Sequence, residues 1–553
     1  MKIIKIAICF MALMALFNAC EKPMEEITNY DYARAFSPIN LKQTPSTFDV
    51  TTLEWQMVDG AREYVVELSR GDELLFNNII ATYETEATRL VLTDLWGETQ
   101  YSVRVKSKAF NEGQQDSQWT SLAFKTNAEQ IFLPLRNVDI KGTSILVRWV
   151  LPNGNITKLN VSGGSVDIGD VVLTPADLAA GAKSLTGLEP NRNYIVGIYD
   201  GEQRRGLVTP TTKWKPTGGE GDVVQVASGA DLIAVTSDAG NIGKIIYLPD
   251  GYTFDVSTSD GILIAGNMTI YGDPDALVKP MITTSSTGGG AKLFRWPGAC
   301  SIDTLKFVNL AFAATGAGNQ SSVIHPGTAV GVDDIVMLKG LVFENCEAYD
   351  FGRCFIRIQN IAGSSPIDVL SLNNCFARNI GTYGGDNGAY AFVTLNIATG
   401  GIDKVTVTNS TFQKQYHSFV NAPLTTDNRP CKNVLIENCT FNDVMTGPTA
   451  TTARYFIDGN NNSQIDIIIR NVIFGQSGPS SAGYRYGDGS AITVTNSYKT
   501  TDFTTTPTTA DLPSLIAYPG SSTALFMNPA VGDFSIRDAN FAGIATVGDP
   551  NWR

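Results

Sequence analysis

Four residues spaced one repeat apart, Asp350, Asn379, Lys414 and Asp443, with Arg378 beside Asn379, are where chemistry can first be read in this 553-residue sequence. Each lies five residues beyond an Asn that ends a short phrase of β-formers, so stacking the phrases puts them in one line with neighbours about 5 Å apart. Removing the C5 proton of a uronate needs a base and a cation that holds the charge growing on the carboxylate. Lys414 and Arg378 are the candidate catalytic groups for such a polysaccharide lyase, Arg353 can serve beside them, and Asp350 and Asp443 are candidate Ca²⁺ ligands. Against that chemistry, the aspartates stand on separate coils without a clustered third carboxylate. A plain surface ion-pair ladder has the same composition.

A second line comes from the strands that follow, GRCFIRI, AYAFVTL, YHSFVNA and ARYFIDG. Aligned on Phe, they give Phe355, Phe392, Phe419 and Phe456. The residues flanking each Phe are mostly small or aliphatic, Tyr455 excepted, and strand alternation favours those flanking positions facing inward. The Phe ladder then faces outward, edged by Arg353, Tyr390, His417 and Arg454 on one side and by Arg357 on the other. Sugar faces pack on rings and guanidinium groups take carboxylates in bidentate fashion, so this strip suits an acidic polysaccharide. The opposite parity makes the same four Phe a core stack.

The elements that must position these residues are seven phrases: FVNLAF, LVFENCEA, LSLNNCFA, VTVTNSTF, VLIENCTF, IIIRNVIF and ITVTNSYK. Their Asn residues are Asn309, Asn345, Asn374, Asn409, Asn438, Asn471 and Asn496, separated by 36, 29, 35, 29, 33 and 25 residues. Such spacing is too short for separate domains and too irregular for a propeller, and it suits a solenoid with one coil per repeat. Asn tolerates a tight left-handed turn and can bond the Asn of the next coil about 4.8 Å away. The expected fold of this region is a right-handed parallel β-helix.

The net charge of −13 argues against nucleic acid and anionic membrane surfaces as partners, so an acidic polymer would need a local basic patch. Cys300, Cys346, Cys354, Cys375, Cys431 and Cys439 form no C-x-x-C pair. Cys346, Cys375 and Cys439 each follow a repeat Asn, which predicts a column of buried thiols. With only His325 and His417 present, a His-based metal site or a Ser-His-Asp triad is close to excluded.

Residues 1–20, MKIIKIAICFMALMALFNAC, combine Lys2 and Lys5 with an apolar run too short for a stable span. The ending LFNAC resembles the lipobox of bacterial lipoproteins, which implies lipidation at Cys20. The acidic tether after it, to residue 34, resembles that of Bacteroidetes lipoproteins on the outer face of the outer membrane. Residues 35–127 alternate in short strands and resemble a fibronectin type III domain, with Trp55, Tyr64, Leu95 and Tyr101 in its core and tyrosine-corner positions. Residues 128–214 resemble a second, with Trp149, Leu188 and Tyr194. Both are expected to be spacers, and residues 215–221, KPTGGEG, a linker.

From residue 222 to 553 the pairing of KIIYLPDGYTFDV with GNMTIYGD resembles the first coils of pectin-lyase-like β-helices. The end, DFSIRDANFAGIATVGDPNW, resembles the closing segment of an uncharacterised Bacteroidetes family in polysaccharide-utilisation systems. The fold class is therefore all-β: two fibronectin-like sandwiches, then a right-handed parallel β-helix. The resemblance implies a lipid-anchored outer-membrane protein that binds an acidic, pectic polysaccharide, with an outer-membrane glycan transporter as partner. The alternatives are a lyase with a Lys or Arg base and Ca²⁺, and an adhesin or structural β-helix without a glycan site. The Trp-x-Asp-His and Arg-x-x-Pro-x-x-Arg of pectate lyases and the Gly-His-Gly of polygalacturonases are missing.

Overall fold

A computed structural model describes residues 33–553 except 46, 72, 151–154, 166–167, 250, 258–259, 265, 289, 297, 327–332, 359–362, 384–389, 396–399, 425–429, 448–453, 479–480 and 507–510. Cys20 and nearly all of the expected tether lie outside the described residues. No helix among the described residues is long and apolar enough to cross a membrane.

The first sandwich has seven strands: β1 (Ile39–Gln43), β2 (Thr51–Gln56), β3 (Tyr64–Arg70), β4 (Ile79–Thr85), β5 (Arg89–Leu92), β6 (Gln100–Ser107) and β7 (Thr120–Lys125). They form two antiparallel sheets in the orders β1-β2-β5 and β4-β3-β6-β7, the fibronectin type III arrangement. Alternation along β2 and β6 sends Leu53, Trp55, Tyr101, Val103 and Val105 into the core. Trp55 meets Tyr64 edge-on at 5.4 Å, and Tyr101 Oη accepts the Trp96 amide at 2.8 Å, which closes the tyrosine corner.

The second sandwich contains β8 (Ser144–Arg148), β9 (Lys158–Gly163), β10 (Gly169–Val172), helix α1 (Pro175–Ala180), β11 (Ala182–Thr186), β12 (Tyr194–Asp200) and β13 (Gln203–Val208). Strand β8 pairs with β11, and the other four form one sheet in the order β10-β9-β12-β13. Tyr194 Oη accepts the Glu189 amide at 2.8 Å, a second tyrosine corner.

The rest is a parallel β-helix of three sheets. Among the described residues the first holds ten strands, from Val223–Gln225 to Ala491–Thr495, and the second ten, from Thr253–Asp255 to Ile516–Ala517. The third holds eight, from Ile262–Leu263 to Ser481–Tyr486. Helix Leu232–Ser237, capped by Asp231, follows the first strand. From Cys300–Val308 onward, seven first-sheet strands turn into the second sheet through two residues, and the first of the two is the predicted Asn. All seven lie in the left-handed region, with φ between 43° and 56°. Their amides form the expected ladder: Asn345 Nδ2 donates to Asn309 Oδ1 at 2.6 Å and Asn374 Nδ2 to Asn345 Oδ1 at 2.7 Å. The chain of bonds resumes from Asn409 through Asn438 and Asn471 to Asn496. The first two bonds are buried, and each contributes about 0.5–1.5 kcal/mol net. Cys346, Cys375 and Cys439 are buried free thiols, as expected.

The Phe ladder corrects the predicted parity. Phe355, Phe392, Phe419 and Phe456 are all at most 3% exposed and stack in the core, 4.8, 5.1 and 5.5 Å apart with interplanar angles of 11° or less. They interlock with a second stack, Phe412, Phe441 and Phe474. Strict alternation fails because several third-sheet strands are only two residues long, as at Ile356–Arg357. Where that strand begins, the Phe355 and Ile356 amides both donate to Phe392 O, so two successive side chains turn inward.

Phe132–Leu151, Val161–Val196 and Val208–Arg553 form one compact unit. Within it Lys215, in the expected linker, is pinned to the β-helix by Asp275 and Asp273 at 2.9 and 3.1 Å. Residues 518–553 fold back over the second sheet, where Tyr518, Leu525, Phe526, Phe534, Phe541 and Val547 pack with Ile473.

Candidate functional site

On the second sheet, outward positions come two and four residues after each corner Asn. In the coils of Asn345 and Asn374 these are Glu347 and Tyr349, then Phe376 and Arg378, paired across the strands as Glu347 with Phe376 and Tyr349 with Arg378. In the next coils the same columns hold Thr411 and Gln413, then Thr440 and Asn442. There the C-terminal segment covers them. Thr411 Oγ1 donates to Asp549 Oδ2 at 2.7 Å, the Asp549 amide donates to Thr440 Oγ1 at 3.0 Å, and Gln413 Nε2 donates to Pro529 O.

The edge of that cover leaves a groove of about 390 Å³ over the two uncovered coils. Its floor is Tyr349, Phe376 and Arg378, with Asn345 and Asn374 along the corner. One wall is Gly532, Asn551 and Trp552 of the C-terminal segment, and the other is Arg136 and Val138, just ahead of β8. Three cations reach it. Lys279 pairs with Glu347 at 2.8 Å, and Glu347 also accepts the Tyr349 hydroxyl at 2.7 Å. Arg136 is held rigid by two bonds to Asp139, a carboxylate it shares with Arg148, so the trio carries one net positive charge. Arg378 donates to Ala530 O at 3.4 Å and meets no carboxylate within ion-pair distance among the described residues. The opposing acid, Asp549, is buried, which pushes its carboxyl up to about 7 despite bonds from Asn551 and Thr411. The groove is thus cationic and ring-lined and edged with amides, groups whose chemistry suits a carboxylate.

The predicted site residues are distributed differently. Arg378 faces this groove. Lys414, its expected partner, is not among the groove's lining residues. Asp350, Asn379, Lys414 and Asp443 do form a column, and all four have left-handed φ between 53° and 64°. They are bends in the second sheet's strands, and Asn379 Nδ2 donates to Asp350 Oδ1 at 2.5 Å. No group of three His, Cys, Asp or Glu fit for a metal occurs among the described residues.

The residues expected to edge an open Phe strip sit against the third sheet. Arg353, Arg357 and Arg454 are 7%, 3% and 2% exposed, which corrects their reading as open groups. Arg353 bonds Gln320 at 2.7 Å and lies over Tyr383 and Tyr390 at 5.5 and 5.0 Å. Arg357 lies 5.6 Å from the Tyr390 ring, and Arg454 bonds Gly447 O. His417 is lowered to about 4 by burial and by Arg454.

Arg136, Lys279, Tyr349, Asn551 and Trp552 escaped the reading of the sequence. Tyr349 and Glu347 carried a signal: the columns two and four after each Asn change from charged and aromatic to Thr, Gln and Asn where the cover begins.

A domain family of unknown function, DUF5123, matches residues 434–552, the late coils and the covering segment. No curated protein matches the chain. Among solved structures it is similar to a segment of two fibronectin type III domains from chicken tenascin, at 19% identity over 32% of this chain and 99% of that one, with a TM-score of 0.22. It is also similar to the FN5 domain of Drosophila Lar, at 19% identity over 17% and 98% of the chains, with a TM-score of 0.15.

Proposed function

We propose that this protein is a lipid-anchored surface protein that binds an acidic, pectic-type polysaccharide in the groove over Tyr349, Phe376 and Arg378. The observation that carries the reading is that groove itself: rings, amides and three cations over two uncovered coils of a protein that is otherwise acidic. The pectin-lyase-like phrasing of the coils and the lipobox ending at Cys20 agree with such a role and with an outer-membrane setting beside a glycan transporter. The test is migration of the protein from residue 21 onward in gels containing polygalacturonate or rhamnogalacturonan. Retardation is expected, and Arg378→Ala should weaken it about ten-fold or more, since a charge-assisted bond contributes roughly 1.5–3 kcal/mol. Unretarded migration in both polymers overturns the reading. Formation of unsaturated uronate in the same samples, lost in Lys414→Ala or on chelation, would replace the binder with a lyase.

A further inference from the structure

The groove continues past Asn345. Two more cavities, of about 350 and 270 Å³, follow the asparagine corner toward the first coils; both include Asn345, Asn309 and Lys213. The inner one is walled by Trp214 and Tyr271, which meet edge-on at 5.1 Å, with Tyr271 stacked on Tyr247 at 6.2 Å. Tyr271 Oη donates to Trp214 O at 2.8 Å, which fixes both rings.

Ammonium groups converge here from two directions. Lys306 and Lys279, on the β-helix, are paired with Glu344 and Glu347, each at 2.8 Å. Lys213 and Lys141, which flank the second sandwich, are not. Lys213 Nζ donates to Asn137 O at 3.0 Å, and Lys141 Nζ to Ala276 O at 3.3 Å, and neither meets a carboxylate within ion-pair distance among the described residues. Burial first, then Lys279 and Lys141, pulls Lys213 down to about 8 although Glu344 opposes the shift. Crowded ammonium groups disfavour one another's charge, and an anion between them reverses that effect.

We infer that the second sandwich is a wall of the binding site. Lys213 and Lys141, with Trp214 and Tyr271, form a second acidic-sugar subsite, and one polyanionic glycan lies along the corner across both. This rests on reading the outer groove as an acidic-glycan site. From Tyr271 to Arg378 there are three coil steps, roughly 14 Å, so the occupant is an oligomer rather than a single sugar.

Calorimetric titration of the chain from residue 21 with galacturonic acid, its dimer and its longer oligomers tests this. Affinity should climb about ten-fold or more from dimer to the longer oligomers as the second subsite engages. The double variant Lys213→Met, Lys141→Met should flatten that climb, and Lys42→Met, an exposed charge on the first sandwich, should leave it intact. In the unaltered protein, the fall of affinity with salt should be steeper for long oligomers than for the dimer, a reading that does not depend on the variant folding. Dimer binding without gain in affinity or salt slope overturns the second subsite alone. A climb that survives the double variant does the same. Binding of no acidic sugar at any length overturns the outer groove as well.

Discussion

The outward face of the second sheet is treated in two ways along one molecule. Over the coils of Asn409, Asn438 and Asn471 it is closed by the C-terminal segment, and the residues beneath, Thr411, Thr440 and Ile473, serve as seats for Asp549 and its apolar neighbours. Over the coils of Asn345 and Asn374 the same columns carry Glu347, Tyr349, Phe376 and Arg378 and face a groove. The backbone is alike in both stretches, paired in parallel through one asparagine corner. What differs is how far the C-terminal segment reaches: over the coil of Asn374 it touches, among the described residues, only Phe376, Arg378 and the corner Asn. Asn551 marks the border: its Nδ2 donates to Asn374 Oδ1 at 2.6 Å, while Asn409 bonds Asn373 rather than Asn374. The covered half is closed by the chain itself, and the other half lines the groove.

The sharpest way to break that comparison is to remove the cover's core. Phe534 is fully buried, edge-on to Phe526 at 5.2 Å and 5.9 Å from Trp552. Phe534→Ala should cost about 3–5 kcal/mol in chemical denaturation, whereas Phe376→Ala, on the groove's half-buried floor, should cost far less. Equal losses would mean that the two halves do not differ as described.

A smaller effect comes from Asp549. Its folded carboxyl sits at about 7, above its ordinary 3.8, so the folded state holds a proton that the unfolded state releases. The stabilisation is complete below about pH 4 and is lost as pH rises through about 7. Asp549→Asn should remove the pH dependence in that window and raise the denaturation midpoint on its alkaline side. An unchanged pH profile would sink the assignment.

The smallest effect concerns Lys414. At φ 53° it holds a conformation that Asn tolerates better. If it is only a bend, Lys414→Asn should relieve part of the roughly 1–2 kcal/mol that a left-handed backbone costs, stabilising the protein, and leave glycan retardation as it was. A loss of binding would return Lys414 to the site.

Much of the fold was legible because its signals are local. The corner Asn residues, the two tyrosine corners and the thiol column each follow from a residue type at a fixed offset. The Phe parity was misread because alternation was extended into strands too short to sustain it. The site was legible only at Arg378. Its other parts come from segments far apart in the chain, so no window of sequence contains it; Arg136, Lys279 and Trp552 meet only after folding. The second module, expected to be a spacer, supplies part of one wall.

By itself the sequence determined where seven of the coils turn, because a tight corner needs one left-handed residue and Asn accepts it while its amide bonds a neighbouring coil. It also determined that the chain would be all-β. Only the tertiary structure decided which faces of the helix stay open, because that depends on distant segments docking: the C-terminal residues over the late coils, the second sandwich beside the early ones. Alternation says which side chains leave the core. Whether they then meet protein or solvent is set by long-range packing, which no local pattern encodes.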